Sequence, residues 1–271
     1  MRGSPGLILM LSACGFSSPA AVSDPGGGGD DGGPGPAPDA SVDAPEPEAE
    51  VNLPLYAASN QMIYKLDVDQ QTSMLVGPVR RSGGTSVNVD GLALYGHTLI
   101  GLSDGGVELI SIDKDDGSIL TEKPLTPAGA WSGLTVIPAG ELEPTPVVLS
   151  GLANDGKLYR IDATTGAVTA VGPFTNSYRF FSDLAWVKGE GLFATLTGGT
   201  CADVCFAKLD PTTGAATVFR SNLGTNLYGL SGYRGKLWAF NHAGPVLTVN
   251  LTTGLMAMAF DPQVPWTEAA Q

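Results

Sequence analysis

Two acidic residues, Asp183 and Glu268, stand where other copies of a recurring apolar pattern carry glycine. The equivalent positions are Gly91, Gly133, Asp183, Gly229 and Glu268. Equivalent positions in a ring of repeats point to one axis, so the two carboxylates are expected to face each other. Paired carboxylates can cleave glycosidic bonds by acid–base chemistry. With Asp90, which precedes Gly91, they form a predicted cation or polar-ligand site at the mouth of the ring.

A second interpretation of these acids needs no ligand. Asp183 and Glu268 can be solvated loop residues at the entrances of their strands, or they can pair with nearby Arg179. This interpretation is favoured, because a position within a fold does not by itself establish a function. No catalytic residue, metal ligand or cofactor is assigned. Calcium is kept only as an alternative, since one Asp-x-x-Thr-Gly turn alone offers too few oxygens.

Aromatic residues form a second constellation just before or within the same strands. They are Trp131, Tyr178, Phe180, Phe181, Tyr228 and Trp266. Such rings can stack on sugars, or they can act as wedges that pack one repeat on the next, and the wedge is favoured. Trp131 and Tyr228 are retained with Asp90, Asp183 and Glu268 as predicted ligand-binding residues.

Cysteine and histidine offer little further chemistry. Cys201 and Cys205 lie four residues apart, and a tight hairpin in an exported chain favours a disulfide between them. A structural zinc site needs four ligands, and the two histidines, His97 and His242, have no motif around them. His242, in Asn-His-Ala-Gly-Pro, is interpreted as a turn residue.

The elements that position these residues are short antiparallel strands. In the clearest copy, residues 157–173, an apolar/polar alternation runs into Asp162, a Thr-Gly turn follows, and a second alternating run begins. Asp bonds its own backbone two residues on, and glycine supplies a positive φ, so the pattern predicts a tight hairpin. The turn recurs every 40–49 residues, at Asp67, Asp113, Asp162, Asp210 and Asn250.

Four short strands in each such repeat predict the blades of a β-propeller. Residues 51–271 accommodate five blades, and the all-β domain begins with the second strand of its first blade. The missing innermost strand is assigned to Trp266–Ala270, which would close the ring. Closure would remove most exposed sheet edges.

The Leu-Tyr-x-Ile-Asp-x-x-Thr-Gly runs resemble the pyrroloquinoline-quinone-type (quinoprotein-like) and WD-type propeller superfamily, although the WD dipeptide is absent. This resemblance implies an architecture and not an activity. Near the N-terminus, Leu11-Ser12-Ala13-Cys14 follows Arg2 and a short apolar run, as in a secretory signal. It resembles the lipobox of bacterial lipoproteins, which implies cleavage after residue 13 and acylation of Cys14.

Residues 14–50 are predicted to be a disordered tether between the lipid and the propeller. From residue 15 onward they hold eight acids, no base and 15 glycines or prolines. Such a segment cannot bury enough apolar surface to offset its ordering entropy. Several acyl chains would hold the protein on a membrane far better than one.

The formal charge of −13 argues against a nucleic-acid partner, because phosphate binding needs clustered Lys and Arg. The sequence therefore predicts a lipid-anchored protein of the bacterial cell envelope, in the outer membrane, periplasm or cell surface. Its propeller would be a non-enzymatic ligand-binding or scaffolding module, with a glycan or an envelope protein as partner. The alternative is a carbohydrate-active enzyme with acids at the channel mouth.

Overall fold

The computed structural model of the chain describes residues 54–270, which form five four-stranded antiparallel sheets. Blade one contains β20 (Glu268–Ala270), β1 (Leu55–Ser59), β2 (Met62–Asp67) and β3 (Thr72–Pro78). Blade two contains β4 (Val89–Tyr95), β5 (Thr98–Ser103), β6 (Glu108–Ile112) and β7 (Ile119–Pro124). Blade three contains β8 (Trp131–Ile137), β9 (Val147–Leu152), β10 (Lys157–Ile161) and β11 (Val168–Pro173). Blade four contains β12 (Tyr178–Val187), β13 (Gly191–Gly198), β14 (Val204–Leu209) and β15 (Ala216–Arg220). Blade five contains β16 (Leu227–Tyr233), β17 (Lys236–Asn241), β18 (Val246–Val249) and β19 (Met256–Phe260).

Each blade follows the strand order that the repeat predicts. The first strand of every blade, β4, β8, β12, β16 or β20, contacts the first strands of both neighbouring blades, so these five strands surround one axis. They are mostly buried, whereas the outermost strands are largely exposed. The predicted five-bladed, all-β propeller is confirmed.

The turns between the third and fourth strands are built by the recurring Asp or Asn. The carboxylate of Asp162 accepts hydrogen bonds from the N–H groups of Thr164 (2.7 Å) and Thr165 (3.0 Å). Gly166 N–H closes the turn on the Asp162 carbonyl, and Gly166 has a φ of 76°. The same arrangement recurs at Asp210 and Asn250. These bonds explain why this short motif repeats so faithfully.

The apolar core lies between neighbouring blades. One cluster joins Leu55 and Ala57 of blade one to Trp238 and Phe240 of blade five, and four similar clusters occupy other interfaces. Each blade thus buries both faces of its sheet against its neighbours. Burial of this apolar surface, at about 25 cal/mol per Å², is the main force that holds the ring together.

Strand β20 closes the ring where the C-terminal segment meets the start of the domain. Glu268, Ala269 and Ala270 pair with Ala58, Ala57 and Tyr56 of β1. Before this strand, Trp266 is fully buried, and its Nε1 donates a hydrogen bond to the Gly244 carbonyl at 2.8 Å. The predicted closure by the last few residues is confirmed.

Within residues 54–270 the helical content is a single 3-10 turn, Thr175–Ser177, in the connection to β12. In that same range, no helix is long and apolar enough to cross a membrane. The predicted signal sequence (residues 1–13), the acylated Cys14 and the tether (14–50) lie outside the described residues.

Candidate functional site

Four innermost strands contain a β-bulge at the same level of the ring. The register shifts between Val89 and Gly91 in β4, and equivalent shifts occur in β8, β12 and β16. The bulged residues include Asp90 in blade two and Tyr228 in blade five. A bulge breaks the ladder locally and turns a side chain in a new direction. The sequence markers located these positions, but they gave no sign of the bulges.

The largest bulge places Asp183 on the axis. Three residues of β12, Phe181 to Asp183, stand opposite the single residue Thr195 of β13. Thr195 is fully buried, and its hydroxyl accepts from the backbone N–H of Ser182 and of Asp183. These contacts hold the bulge and direct the Asp183 carboxylate away from its own sheet.

The carboxylate of Asp183 satisfies backbone donors from three blades. Its Oδ1 accepts from Leu184 N–H at 2.8 Å and from Leu134 N–H of blade three at 3.3 Å. Its Oδ2 accepts from Leu230 N–H of blade five at 2.6 Å. The residue is 0% exposed. The Asp183 carboxyl group therefore links three neighbouring strands through the backbone N–H groups that it accepts from.

Glu268 extends into the same place from β20. It is 5% exposed and forms a side-chain hydrogen bond with Asp183, while its Oε2 is buried with no hydrogen-bond partner. Burial raises the pKa of Glu268 well above its usual range, and the negative charges of Asp183 and Asp90 raise it further. Burial also raises the pKa of Asp183 well above its usual range, although its three backbone donors partly oppose that effect.

These opposing effects locate the proton of the pair. Two carboxylates in contact cannot both be ionised in a buried site. Three N–H donors stabilise charge on Asp183, and none is available to Oε2 of Glu268. The pair therefore holds one proton, on Glu268, which donates it to the charged Asp183.

Close approach of the strands explains the glycines at the other equivalent positions. A Cβ on Gly133 would lie 2.7 Å from the Cα of Asp183, and one on Gly229 would lie 2.9 Å from the backbone carbon of Glu268. Gly133 also has a φ of 65°. Any larger residue at these positions would push the innermost strands apart.

The structure brings Asp183 and Glu268 together, as the ring predicts. The alternative that they are solvated loop residues is wrong, because both are buried within strands. Asp183 is bonded to the backbone donors described above and not to Arg179, whose side chain is exposed. The axis is thus filled by an internal network at this level.

Asp90 lies nearer the surface, at the end of the ring where the connections into the innermost strands meet the turns between second and third strands. Its carboxylate accepts from Gly105 N–H at 2.7 Å. Partial burial raises the pKa of Asp90, the Gly105 N–H lowers it, and the charge of Asp104 raises it. This end of the ring is called the mouth below.

Most of the predicted aromatic constellation serves as packing between blades. Trp131 is 2% exposed and packs edge-to-face against Tyr159, with ring centroids 4.8 Å apart. Its Nε1 donates a hydrogen bond to the Pro127 carbonyl. Tyr178, Phe180 and Trp266 are also buried. Trp131 therefore has no accessible ring face to offer a ligand at the mouth.

Tyr228 differs from these wedges. It is 40% exposed, and its ring lies 6.2 Å from Phe181 and 5.4 Å from His242 between centroids. His242 is exposed in the turn between β17 and β18, as a turn residue is expected to be. These three rings form an aromatic strip at the mouth. No periodicity in the sequence pairs His242 with Tyr228, because they meet only through the fold.

The two cysteines are joined. Cys201, in the connection after β13, forms a disulfide with Cys205 of β14, with Cα atoms 5.8 Å apart, so that prediction is confirmed. Among residues 54–270, no group of three or more His, Cys, Asp or Glu side chains is placed to hold a metal ion. The axial acids are committed to backbone donors and to each other.

Comparison with known proteins identifies the architecture. The chain is similar to a chain in the crystal structure of a nidogen/laminin complex, with a TM-score of 0.52 and 12% identity. The match covers 80% of this chain and 97% of the other. At this identity the likeness shows the fold alone, a β-propeller. No protein-family model matches the sequence, and no curated protein matches it either.

Proposed function

We propose that this protein is a membrane-anchored, extracytoplasmic propeller lipoprotein that binds a ligand or partner at its mouth without chemical turnover. The propeller fold supports a binding or scaffolding module in general. The observation that carries the proposal is Tyr228, an exposed aromatic residue turned out of its strand by a bulge beside an exposed His242. Bulges that redirect side chains are typical of binding sites.

The arrangement of the acids supports binding over hydrolysis. A glycosidase needs two carboxyl groups that reach the scissile bond. Asp183 is fully buried and accepts hydrogen bonds from three backbone N–H groups, and Glu268 is buried beside it. Asp90 is the predicted acid that lies nearest to the mouth. A screen of aryl glycosides with the purified chain tests this point, and hydrolysis that Asp90→Asn abolishes would favour the enzyme.

The sequence of the N-terminal region supports the anchor. Leu-Ser-Ala-Cys at 11–14 resembles a lipobox, and the acidic Gly/Pro-rich segment that follows is suited to a tether. The Cys201–Cys205 disulfide fits an oxidising compartment outside the cytoplasm.

Metabolic labelling with a radioactive fatty acid in a bacterial host tests the anchor directly. The wild-type chain should incorporate label and sediment with membranes, whereas Cys14→Ser should do neither. The matched control is Cys205→Ser, which removes a different cysteine and should still be labelled. Equal labelling of wild type and Cys14→Ser would contradict the anchor.

A further inference from the structure

The chemistry of the aromatic strip specifies a ligand class. Tyr228 is exposed and Phe181 half-buried at the mouth, their rings lie side by side, and Tyr228 is the bulged residue of β16. A sugar pyranose has an apolar C–H face that packs on such a ring and a rim of hydroxyl groups that need hydrogen-bond partners. Aromatic residues bury large area at a ligand with little loss of their own freedom.

His242 offers a hydrogen-bond acceptor to such a hydroxyl group. Its Nδ1 lies 3.1 Å from the backbone carbonyl of Trp266. A carbonyl oxygen only accepts hydrogen bonds, so Nδ1 carries the hydrogen and donates. In the neutral imidazole this leaves Nε2 as an acceptor. His242 is exposed, so Nε2 can receive a hydrogen bond from a ligand hydroxyl.

Asp90 adds an acidic group to the mouth. β4 and β16 both contact β20, so Asp90 and Tyr228 lie on either side of one strand at the same end of the ring. A carboxylate there repels an anionic group but accepts hydrogen bonds from hydroxyls. The mouth therefore disfavours sialic and uronic acids.

We propose that the Phe181–Tyr228–His242 strip binds a neutral pyranose unit of a glycan, with the sugar face on Tyr228 and one hydroxyl on His242 Nε2. This inference rests on the proposed binding function and specifies its ligand.

A glycan array tests the class, with the full-length Cys14→Ser chain as the soluble probe. Neutral glycans should give the signals and acidic glycans should not. Titration calorimetry with the best neutral glycan should then show affinity at least tenfold lower for Tyr228→Ala and severalfold lower for His242→Ala. Asp90→Asn should increase binding of acidic glycans. The matched control is Tyr95→Ala at the opposite end of an innermost strand, which should bind as the parent chain does.

Three outcomes would overturn the ligand class. These are no neutral glycan bound, unchanged affinity in Tyr228→Ala with its folding intact by thermal melting, or a preference for acidic glycans. A separate capture experiment with envelope proteins distinguishes failure of the wider proposal. If no glycan binds but Tyr228→Ala abolishes retention of an envelope protein, the mouth binds a different ligand. If neither binds, the binding function itself fails.

Discussion

Replacing each member of the axial pair by its amide should have opposite consequences. In Asp183→Asn, one carboxylate oxygen becomes an NH₂ group. If the amide keeps its oxygen toward Leu134 and Leu184, the Leu230 N–H, now 2.6 Å from Oδ2, faces a donor. The Leu230 N–H and the NH₂ group of the new amide are then buried donors without an acceptor, and each lowers the free energy of unfolding by about 1–3 kcal/mol. A loss of roughly 2–6 kcal/mol is a large part of the 5–15 kcal/mol that typically stabilises a domain.

In Glu268→Gln, by contrast, the amide N–H can donate to Asp183 without binding a proton. The pKa of Glu268 is raised in the folded chain, so the folded state binds one proton more than the unfolded state above the ordinary pKa of 4.5. The free energy of unfolding of the wild type should therefore fall as pH rises from there to the folded pKa. The slope for one proton is about 1.4 kcal/mol per pH unit. Glu268→Gln should lack this component and become relatively more stable with rising pH.

Urea unfolding followed by tryptophan fluorescence at several pH values from 5 to 8 measures both effects. The matched control is Glu190→Gln, which removes an exposed acid from a turn and should keep the wild-type pH dependence. Two results would refute the assignment of the proton to Glu268. One is a similar loss of stability in Asp183→Asn and Glu268→Gln, and the other is an unchanged pH slope in Glu268→Gln.

Three further predictions concern strand packing, ring closure and the disulfide. Gly229→Ala places a Cβ 2.9 Å from the β20 backbone and should cost about 1–3 kcal/mol in urea unfolding, whereas Gly83→Ala, with open space around it, should be nearly neutral. Deletion of residues 267–271 removes β20 and exposes the edge of β1, so size-exclusion chromatography should show aggregates. Deletion of Gln271 alone is the control and should leave the protein monomeric. A monomeric 267–271 deletion variant would contradict closure of the ring by β20. Reduction of the Cys201–Cys205 disulfide should lower the free energy of unfolding by at most about 2 kcal/mol, because the closed loop is short; a larger loss would mean that the loop braces more of the blade than its own turn.

The blades could be predicted because each carries the same local signals. Asp162 and its counterparts build a turn from their own backbone, so the turn can be recognised without knowledge of the rest of the fold. The glycine or acid position of each innermost strand lies 18–24 residues after the turn Asp or Asn, and Trp266 precedes Glu268 of the displaced β20 by the same two residues that separate Trp131 from Gly133 in β8. Local chemistry repeated five times gave the architecture of residues 54–270.

The burial of the axial acids could not be predicted in the same way. Asp183 reaches the axis through a three-residue bulge that Thr195 holds from the next strand. The sequence contains no turn or glycine that marks this bulge. Carboxylates are seldom fully buried, which favours the solvated interpretation for Asp183 and Glu268, but the structure shows that this interpretation is wrong. The sequence does not show that the N–H groups of Leu134, Leu184 and Leu230 meet at one point, because only the assembled ring brings these three strands together.

At the mouth, the sequence does not predict which aromatic side chains are exposed. Trp131 lies two residues before Gly133 and Tyr228 one residue before Gly229, and the first side chain is buried whereas the second is exposed. Trp131 has Tyr159 beside it and a carbonyl within reach of its Nε1, whereas Tyr228 is itself the bulged residue. Exposure is thus decided by neighbours from other strands, which no single repeat encodes.

In the binding proposal, the polar residues of the innermost strands at the axis serve stability, and those at the mouth serve binding. Strands held this close leave the N–H groups of Leu134, Leu184 and Leu230 directed at one point, and Asp183 satisfies all three. A second charge at that point would be unstable, so Glu268 is held in its protonated form. Because Asp183 and Glu268 are buried at this level of the ring, the binding proposal places the ligand above it, at the residues that the bulges turn outward. Tyr228 is the exposed aromatic residue among them, and this is why the binding proposal depends on its ring.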